Sequence, residues 1–323
     1  ITDIGGTMTV GASGKLTYAE DVNDQGTGTV TTTTGTFTYT APDTFGRTVA
    51  TDAVSGSSFA FYVVNAGEMK FLEIDGVNFT ETGPAYSQGT VAGSPYVYTF
   101  TGIDENQGSF IVAGGFFASG LTSGLIDFND NGLQTGSGGA AFTASVTAPS
   151  GGRGTLTLSG APVGVPVGVS KFAYYPTANN GLLLLELDAG YTTSGALLPQ
   201  SSSTFANGNY AMNFTNSDLV SVGQEEDAVG QVVVSGSSTF TGTVDIFNTS
   251  GNLNLLAPLT GSFLPTAPAG GGRYSGSFVI TETPNSQTLK ELFYVASPDT
   301  VLFIESDNQA QTSGIMQVQT LTQ

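Results

Sequence analysis

The chain has no cysteine, no histidine and no tryptophan, and only 7 basic residues in 323. Each absence closes off something. Without Cys there are no disulfides to stabilise the fold, although this does not fix the compartment, because many exported bacterial proteins also lack them. Without His or Cys, the usual transition-metal sites and the Ser-His-Asp or Cys-His catalytic pairs cannot be assembled. The 26 acidic residues leave a formal net charge of -19. Such a surface repels nucleic acid and anionic lipid, so neither is expected as a partner, and it favours solubility and attracts divalent cations. No apolar run reaches the length of a membrane span; Gly181–Leu187 is far too short. The sequence opens at Ile1 without Met and without a leader-like segment, which reads as a processed chain or a fragment.

Helical patterning is missing as well. No long stretch has apolar residues at i, i+3 and i+4, whereas alternation of period two runs throughout, among 45 glycines and many Thr and Ser. The class is therefore all-β.

The most informative stretch is Gly181-Leu-Leu-Leu-Leu-Glu-Leu-Asp188. It returns as Lys70-Phe-Leu-Glu-Ile-Asp75 upstream and Val301-Leu-Phe-Ile-Glu-Ser-Asp307 downstream. Each copy is followed by Gly-x-x-x-x-Gln, at Gly83 to Gln88, Gly195 to Gln200 and Gly314 to Gln319. Gly-Arg recurs at Gly46-Arg47, Gly152-Arg153 and Gly272-Arg273, with the arginines 106 and then 120 residues apart. Between Gly-Arg and Glu-x-Asp lies an aromatic strand containing Phe59 to Tyr62, Phe172 to Tyr175 or Leu292 to Tyr294. Upstream of each Gly-Arg comes an Asp/Asn turn: Asp21-Val-Asn23-Asp24, Asp127-Phe-Asn129-Asp130 and the looser Asp245-Ile-Phe-Asn248. A period this long means whole domains in series rather than solenoid turns.

The reading is three tandem antiparallel β domains, over residues 1–89, 90–201 and 202–323, of about eight short strands each. In the middle copy the strands are expected at Tyr96–Thr101, Gly115–Ala118, Leu125–Phe128, Ala141–Val146, Gly154–Leu158, Lys171–Tyr175, Leu182–Asp188 and Gly195–Leu198. Short links favour a meander closing into a small barrel or a flattened sandwich; a Greek-key sandwich is the alternative. Copies two and three open with a Tyr/Phe strand at Tyr96 to Phe100 and Tyr210 to Phe214, whereas copy one starts almost at its second strand, with Gly5-Gly6. A domain lacking its first strand has an unpaired edge open to strand addition. The low-charge strand Gly181–Leu187 is expected inside its sheet, since at an edge it would aggregate.

Three constellations carry possible chemistry. The pairs Glu73/Asp75, Glu186/Asp188 and Glu305/Asp307 are two apart on a strand, hence on one face and about 7 Å apart, a spacing compatible with glycosidase carboxylates. Their threefold repetition argues against an enzyme, and the intervening Leu or Ile, expected to face the core, would push the acids outside. The only arginines, Arg47, Arg153 and Arg273, share one repeat position. Each is expected to form a structural ion pair with an acid of its own domain, first Glu73, Glu186 or Glu305, and second the Asp of the Asp/Asn turn. Finally, Asp127-x-Asn129-x-Asn131-Gly132 matches the first half of a calcium loop, and Asp21 and Asn23 match it in part, but Gly138 stands where the bidentate Glu belongs. These residues read either as turn formers or as calcium ligands. Tyr86 and Tyr191, taken as exposed, are candidates for stacking on glycans.

Taken together, Gly-x-Tyr-x-x-x-Phe, Asp-x-Asn, Gly-Arg, the aromatic strand, Leu-Glu-x-Asp and Gly-x-x-x-x-Gln resemble the tandem β modules of large exported bacterial surface proteins. The resemblance covers nearly the whole chain, is best in copy two, and implies export and an extracellular or cell-surface location; it transfers no catalytic residue. The expectation is a non-enzymatic, self-associating building block of a fibre or surface layer, with a glycan- or surface-binding adhesin as the alternative.

Overall fold

The computed structural model describes residues 2–24, 29–75, 81–103, 110–130, 133–135, 138–160, 170–188, 191–218, 224–236, 238–248, 253–267, 271–281, 286–308 and 310–320. They form an all-β protein of three sheets, each an antiparallel meander in which consecutive strands pair, apart from one short two-residue strand in the second.

The first sheet has β1 (Thr2–Val10), β2 (Lys15–Asp24), β3 (Thr29–Tyr39), β4 (Arg47–Asp52), β5 (Ser58–Asn65), β6 (Glu68–Glu73) and β7 (Thr82–Tyr86). The second has β8 (Tyr96–Ile103), β9 (Phe110–Phe117), β10 (Ser123–Asp130), the short return β11 (Leu133–Gln134), β12 (Ala140–Ser150), β13 (Arg153–Ser159), β14 (Lys171–Pro176), β15 (Leu182–Glu186) and β16 (Thr192–Pro199). The third has β17 (Gly208–Asp218), β18 (Gln224–Ser235), β19 (Thr239–Asn248), β20 (Leu253–Pro265), β21 (Arg273–Thr281), β22 (Ser286–Ser297), β23 (Thr300–Glu305) and β24 (Ala310–Val318). Each strand expected in the middle copy is present, and β15 lies inside its sheet between β14 and β16.

The choice between barrel and sandwich falls to the barrel. In the second sheet β16 pairs with β8 and β9 with β10, which closes an eight-strand ring. In the third, β17 pairs with both β18 and β24. The first sheet has seven strands, and its outer strands β1 and β7 do not pair with each other. The strand that joins β16 to β9 in the second barrel has no counterpart among the described residues of the first. Closure removes sheet edges, so the two barrels bury their aromatic interiors whereas the half-barrel does not.

The cores follow that difference. In the third barrel Phe205, from the link between barrels, enters the interior and packs 4.4 Å from Phe263 and 5.6 Å from Phe240 between ring centroids. Tyr98, Phe100, Phe117 and Phe172 fill the second. At about 1.5–3 kcal/mol for each large apolar side chain fully buried, such interiors dominate stability. In the core of the half-barrel Leu16, Phe37, Ala50 and Phe61 are covered, while Met8, Phe59, Met69 and Phe71 are partly open. They border a cavity of about 960 Å³.

The Gly-Arg dipeptide has a local reason. Ser150 and Arg153 face each other across a two-residue loop whose Gly151 and Gly152 have φ of 60° and 85°. Two positive φ values make the hairpin turn whose twist suits the strands, and glycine adopts them without steric cost. Gly46 and Gly272, at φ 78° and 72°, occupy the same place before Arg47 and Arg273.

Candidate functional site

The recurring polar residues converge at the junctions between domains, not within one domain. At the second junction Arg273, at the start of β21, donates from Nε to Asp127 Oδ2 and from Nη2 to Asp127 Oδ1, both at 2.8 Å. Tyr294 Oη donates to Asp127 Oδ2 at 2.7 Å. Asn129 Nδ2 donates to the carbonyls of Asp307 and Ala310 at 2.7 and 2.9 Å, and Gln311 Nε2 returns a bond to the Asn129 carbonyl at 3.1 Å. The first junction repeats this arrangement. Arg153 Nε and Tyr175 Oη both donate to Asp21 Oδ2, and Asn23 Nδ2 donates to the carbonyls of Glu186 and Tyr191 at 2.9 and 2.6 Å.

This corrects the expected partner of the arginines. The acid belongs to the preceding domain, and it is the Asp of Asp-x-Asn, not the Glu of Glu-x-Asp. The reason lies in the register. Arg273 sits directly opposite Tyr294 on the outer face of its barrel, and Asp127 sits opposite Gly114 on the outer face of the preceding one. Arg and Asp of one domain therefore point away from each other, and only stacking of successive domains brings them together. Arg47, opposite Tyr62 on β5, has no side-chain partner among the described residues.

A glycine makes room for the tyrosine. A Cβ on Gly114 would lie 2.6 Å from Tyr294 Cε2, and a Cβ on Gly5 would lie 2.9 Å from Tyr175 Cε2. Around the second clamp Val97, Val112, Phe116 and Leu125 of one barrel pack with Leu292, Tyr294, Leu302 and Ile304 of the next. Around the first, Ala173, Tyr175 and Leu185 form the corresponding cluster. The Gln of Gly-x-x-x-x-Gln also belongs here. Gln200 Nε2 donates to the Gly271 and Val295 carbonyls at 3.0 and 2.8 Å, and Gln88 forms a bridge with Thr177.

The electrostatics match the geometry. Burial would raise the Asp21 carboxyl, but hydrogen bonds from Arg153, Tyr175 and Thr32 hold it below its ordinary value. The same contact with Asp21 raises Arg153, while burial and the neighbouring Asp127 push Tyr294 well above the usual phenol range.

The Glu-x-Asp pairs also differ from expectation. Glu186 and Glu305 are fully buried and face the barrel interiors, in step with Leu184 and Phe303, whereas Leu187 and Ser306 face outward. Leu185 is buried on the outside of its strand because the preceding domain covers that face, so alternation alone could not tell inside from outside. Burial lifts Glu186 to about 9, although Thr193 Oγ1 donates to it at 2.6 Å. In the third barrel Glu305 lies opposite Glu291, where the other copies have Phe59 and Phe172. Burial raises both carboxyls, repulsion from Asp307 adds to each, and repulsion from Glu291 adds to Glu305. In the first two copies the second acid pins the neighbouring strand: Asp188 Oδ2 accepts from the Ser170 and Lys171 amides at 2.6 Å, and Asp75 Oδ2 from the Ser58 amide at 3.0 Å, whereas in the third copy Glu305 Oε1 accepts from the Lys290 amide at 2.9 Å.

The candidate calcium ligands Asp21, Asn23, Asp127 and Asn129 lie within β2 and β10 and not in turns, and their side chains serve the clamps. Asn131 lies outside the described residues. Among the described residues no group of three or more acids converges as a metal site would require. Tyr191 is 6% exposed and packs in the second core, which corrects its expected exposure; Tyr86 is half-buried, with Lys70 Nζ 5.8 Å from its ring centre. No helix among the described residues is long and apolar enough to cross a membrane.

Two elements of the clamp had only a faint signal in the sequence. Gly5-Gly6 and Gly114-Gly115 are glycine pairs inside strands, a pattern present in the sequence, and the tyrosines are part of the aromatic strand. No family model and no curated protein matches the sequence.

Proposed function

We propose that this chain is a non-enzymatic structural protein, a building block of an extracellular fibre or surface layer of a bacterial cell, whose domains are locked in series by repeated polar clamps. One observation carries this reading: the same Asp, Arg, Tyr and Asn positions join the domains at both junctions. The Asp and Arg that the repeat retains at these positions hold one domain on the next. A chain built this way resists bending at its links, which suits an extended scaffold.

Further assembly proceeds by strand addition at the half-barrel. Its edge strands β1 and β7 flank a gap of one strand, and behind them lies an apolar cavity bordered by Met8, Phe59 and Phe71. An added strand with aromatic residues at alternate positions, as in Tyr96, Tyr98 and Phe100 of β8, would complete both the hydrogen bonding and the core.

Electron microscopy of the native material tests the proposal. Fibres or sheets with an axial repeat near the length of three domains are expected. Dispersed single chains together with specific binding on a glycan array would overturn it in favour of the adhesin reading.

A further inference from the structure

We infer that the outer face of the first domain around Arg47 and Tyr62 is a docking surface for another β domain of this design, one presenting a glycine opposite an Asp-x-Asn strand. The inference rests on reading the chain as a serial array, and it names the partner that the array accepts.

The same surface is occupied twice within this chain. Register equates Tyr62 with Tyr175 and Tyr294, and Leu72 with Leu185 and Ile304. Tyr175 and Tyr294 are 5% and 0% exposed under the preceding domain, whereas Tyr62 is 44% exposed. Leu185 and Ile304 are 1% and 0% exposed, whereas Leu72 is 39% exposed. Val64 and Ile74 are exposed on the same face. A continuous apolar patch beside an arginine without an acid is the surface left when such a junction is open. One position departs from the others, Lys70 standing where Leu183 and Leu302 stand.

The occupied junctions also specify the partner. It must bring an Asp to the Arg and Tyr, an Asn to the carbonyls beyond, and a glycine beneath the tyrosine ring. The third domain of this chain does not meet that description. Its Asp245 lies opposite Val229, where Gly5 and Gly114 stand opposite Asp21 and Asp127. Two residues on, Phe247 replaces Asn23 and Asn129. Asp245 Oδ1 already accepts from the Leu256 amide at 2.6 Å. Val229 and Phe247 are 58% and 53% exposed. A side chain at Val229 would strike the tyrosine of the next domain as a Cβ on Gly114 would. On β18 and β19 register places Asp227 with Asp3, Gln231 with Thr7 and Thr243 with Ala19, while a register shift between Val244 and Ile246 leaves Asp245 beside the exposed Leu255 and Leu256, where Asp21 pairs regularly with Thr32. Val229 and Phe247 therefore stand where a competent donor face has its glycine and asparagine.

The test uses the full chain carrying V229G and F247N, followed by sedimentation velocity over a range of concentrations. The double variant is expected to form head-to-tail dimers and longer chains, and adding R47A or Y62A should abolish them. A donor-only chain (V229G, F247N and R47A) mixed with the unmodified chain should give a one-to-one complex. If V229G prevents folding, judged by circular dichroism, V229A with F247N is measured; association about tenfold weaker, roughly 1.4 kcal/mol, is expected, with the same dependence on Arg47. No association of either folded variant, or association that survives R47A, would overturn the inference. Strand addition at the gap between β1 and β7 depends on neither change, so association of the unmodified chain reports on that reading alone.

Discussion

Arg273 and Asp127 meet across the second junction through two parallel hydrogen bonds of 2.8 Å, with side chains 0% and 1% exposed. Both charges have left water, and each is compensated only by the other and by neighbouring polar groups. Such a pair adds little net stability against an apolar replacement, but removing one partner leaves a buried charge alone. The clamp therefore fixes which surfaces meet and at what register, while the apolar contacts around it supply the attraction.

Removing Asp127 should thus be costly. D127A is expected to lose about 3–5 kcal/mol, measured by denaturant unfolding of the full chain, because Arg273 stays buried without an acid. D21A should cost clearly less, since Arg153 is 34% exposed and water replaces part of the lost contact. Equal losses for the two variants would refute this ranking.

The glycine beneath the tyrosine gives a change that opens a junction and spares the barrels. G114V should push Tyr294 away, since even a Cβ would lie 2.6 Å from its ring. Small-angle scattering should show a larger radius of gyration, and proteases should cut faster in the link around residues 200–207. An unchanged scattering profile would count against the steric argument.

Neighbouring leucines of β15 should behave differently. Leu184 faces the second core and Leu185 faces the first junction. L184D is expected to unfold the middle barrel, by more than about 3 kcal/mol through burial of an unpaired charge. L185D should release the first domain while the barrel keeps its own transition. Two separate melting transitions in L185D and a missing one in L184D are the outcomes to look for in calorimetry.

The buried carboxyls give the pH dependence a definite sign. Glu186 is raised to about 9 and Glu81 to about 7, in both cases chiefly by burial. The folded state then binds more protons than the unfolded state between about pH 4.5 and those values, so stability falls as pH rises through that window, by at most about 1.4 kcal/mol per pH unit for each group. Asp52, held low mainly by the Val54 amide, and Asp21 act in the opposite sense, and their contributions are lost as pH falls below about 4. Melting temperature should therefore peak near pH 5 and decline toward pH 9, and E186Q should flatten the decline. A curve that rises from pH 5 to pH 9 would contradict this assignment.

The partner of each arginine was not legible in one dimension. Arg153 and Asp21 are 132 residues apart, and Arg273 and Asp127 are 146 apart. Repetition shows that Arg and Asp recur together, but within a repeat it cannot say whether an Arg meets its own Asp or that of the previous copy. The orientation of Glu186 was hidden for a related reason. A strand covered on both faces has no polar side to mark its exterior, so Leu185 and Leu184 look alike in the sequence.

The sequence by itself determined the β class, the tandem repetition and the positions of the middle-copy strands, because period-two alternation and glycine turns are local properties of the backbone. Tertiary structure alone decided that the meanders close into barrels, that Glu186 and Glu305 point inward, and that Asp21 and Asp127 reach forward to the following domain. Those outcomes depend on which outer faces come into contact when successive domains stack, and no spacing along the chain encodes that contact.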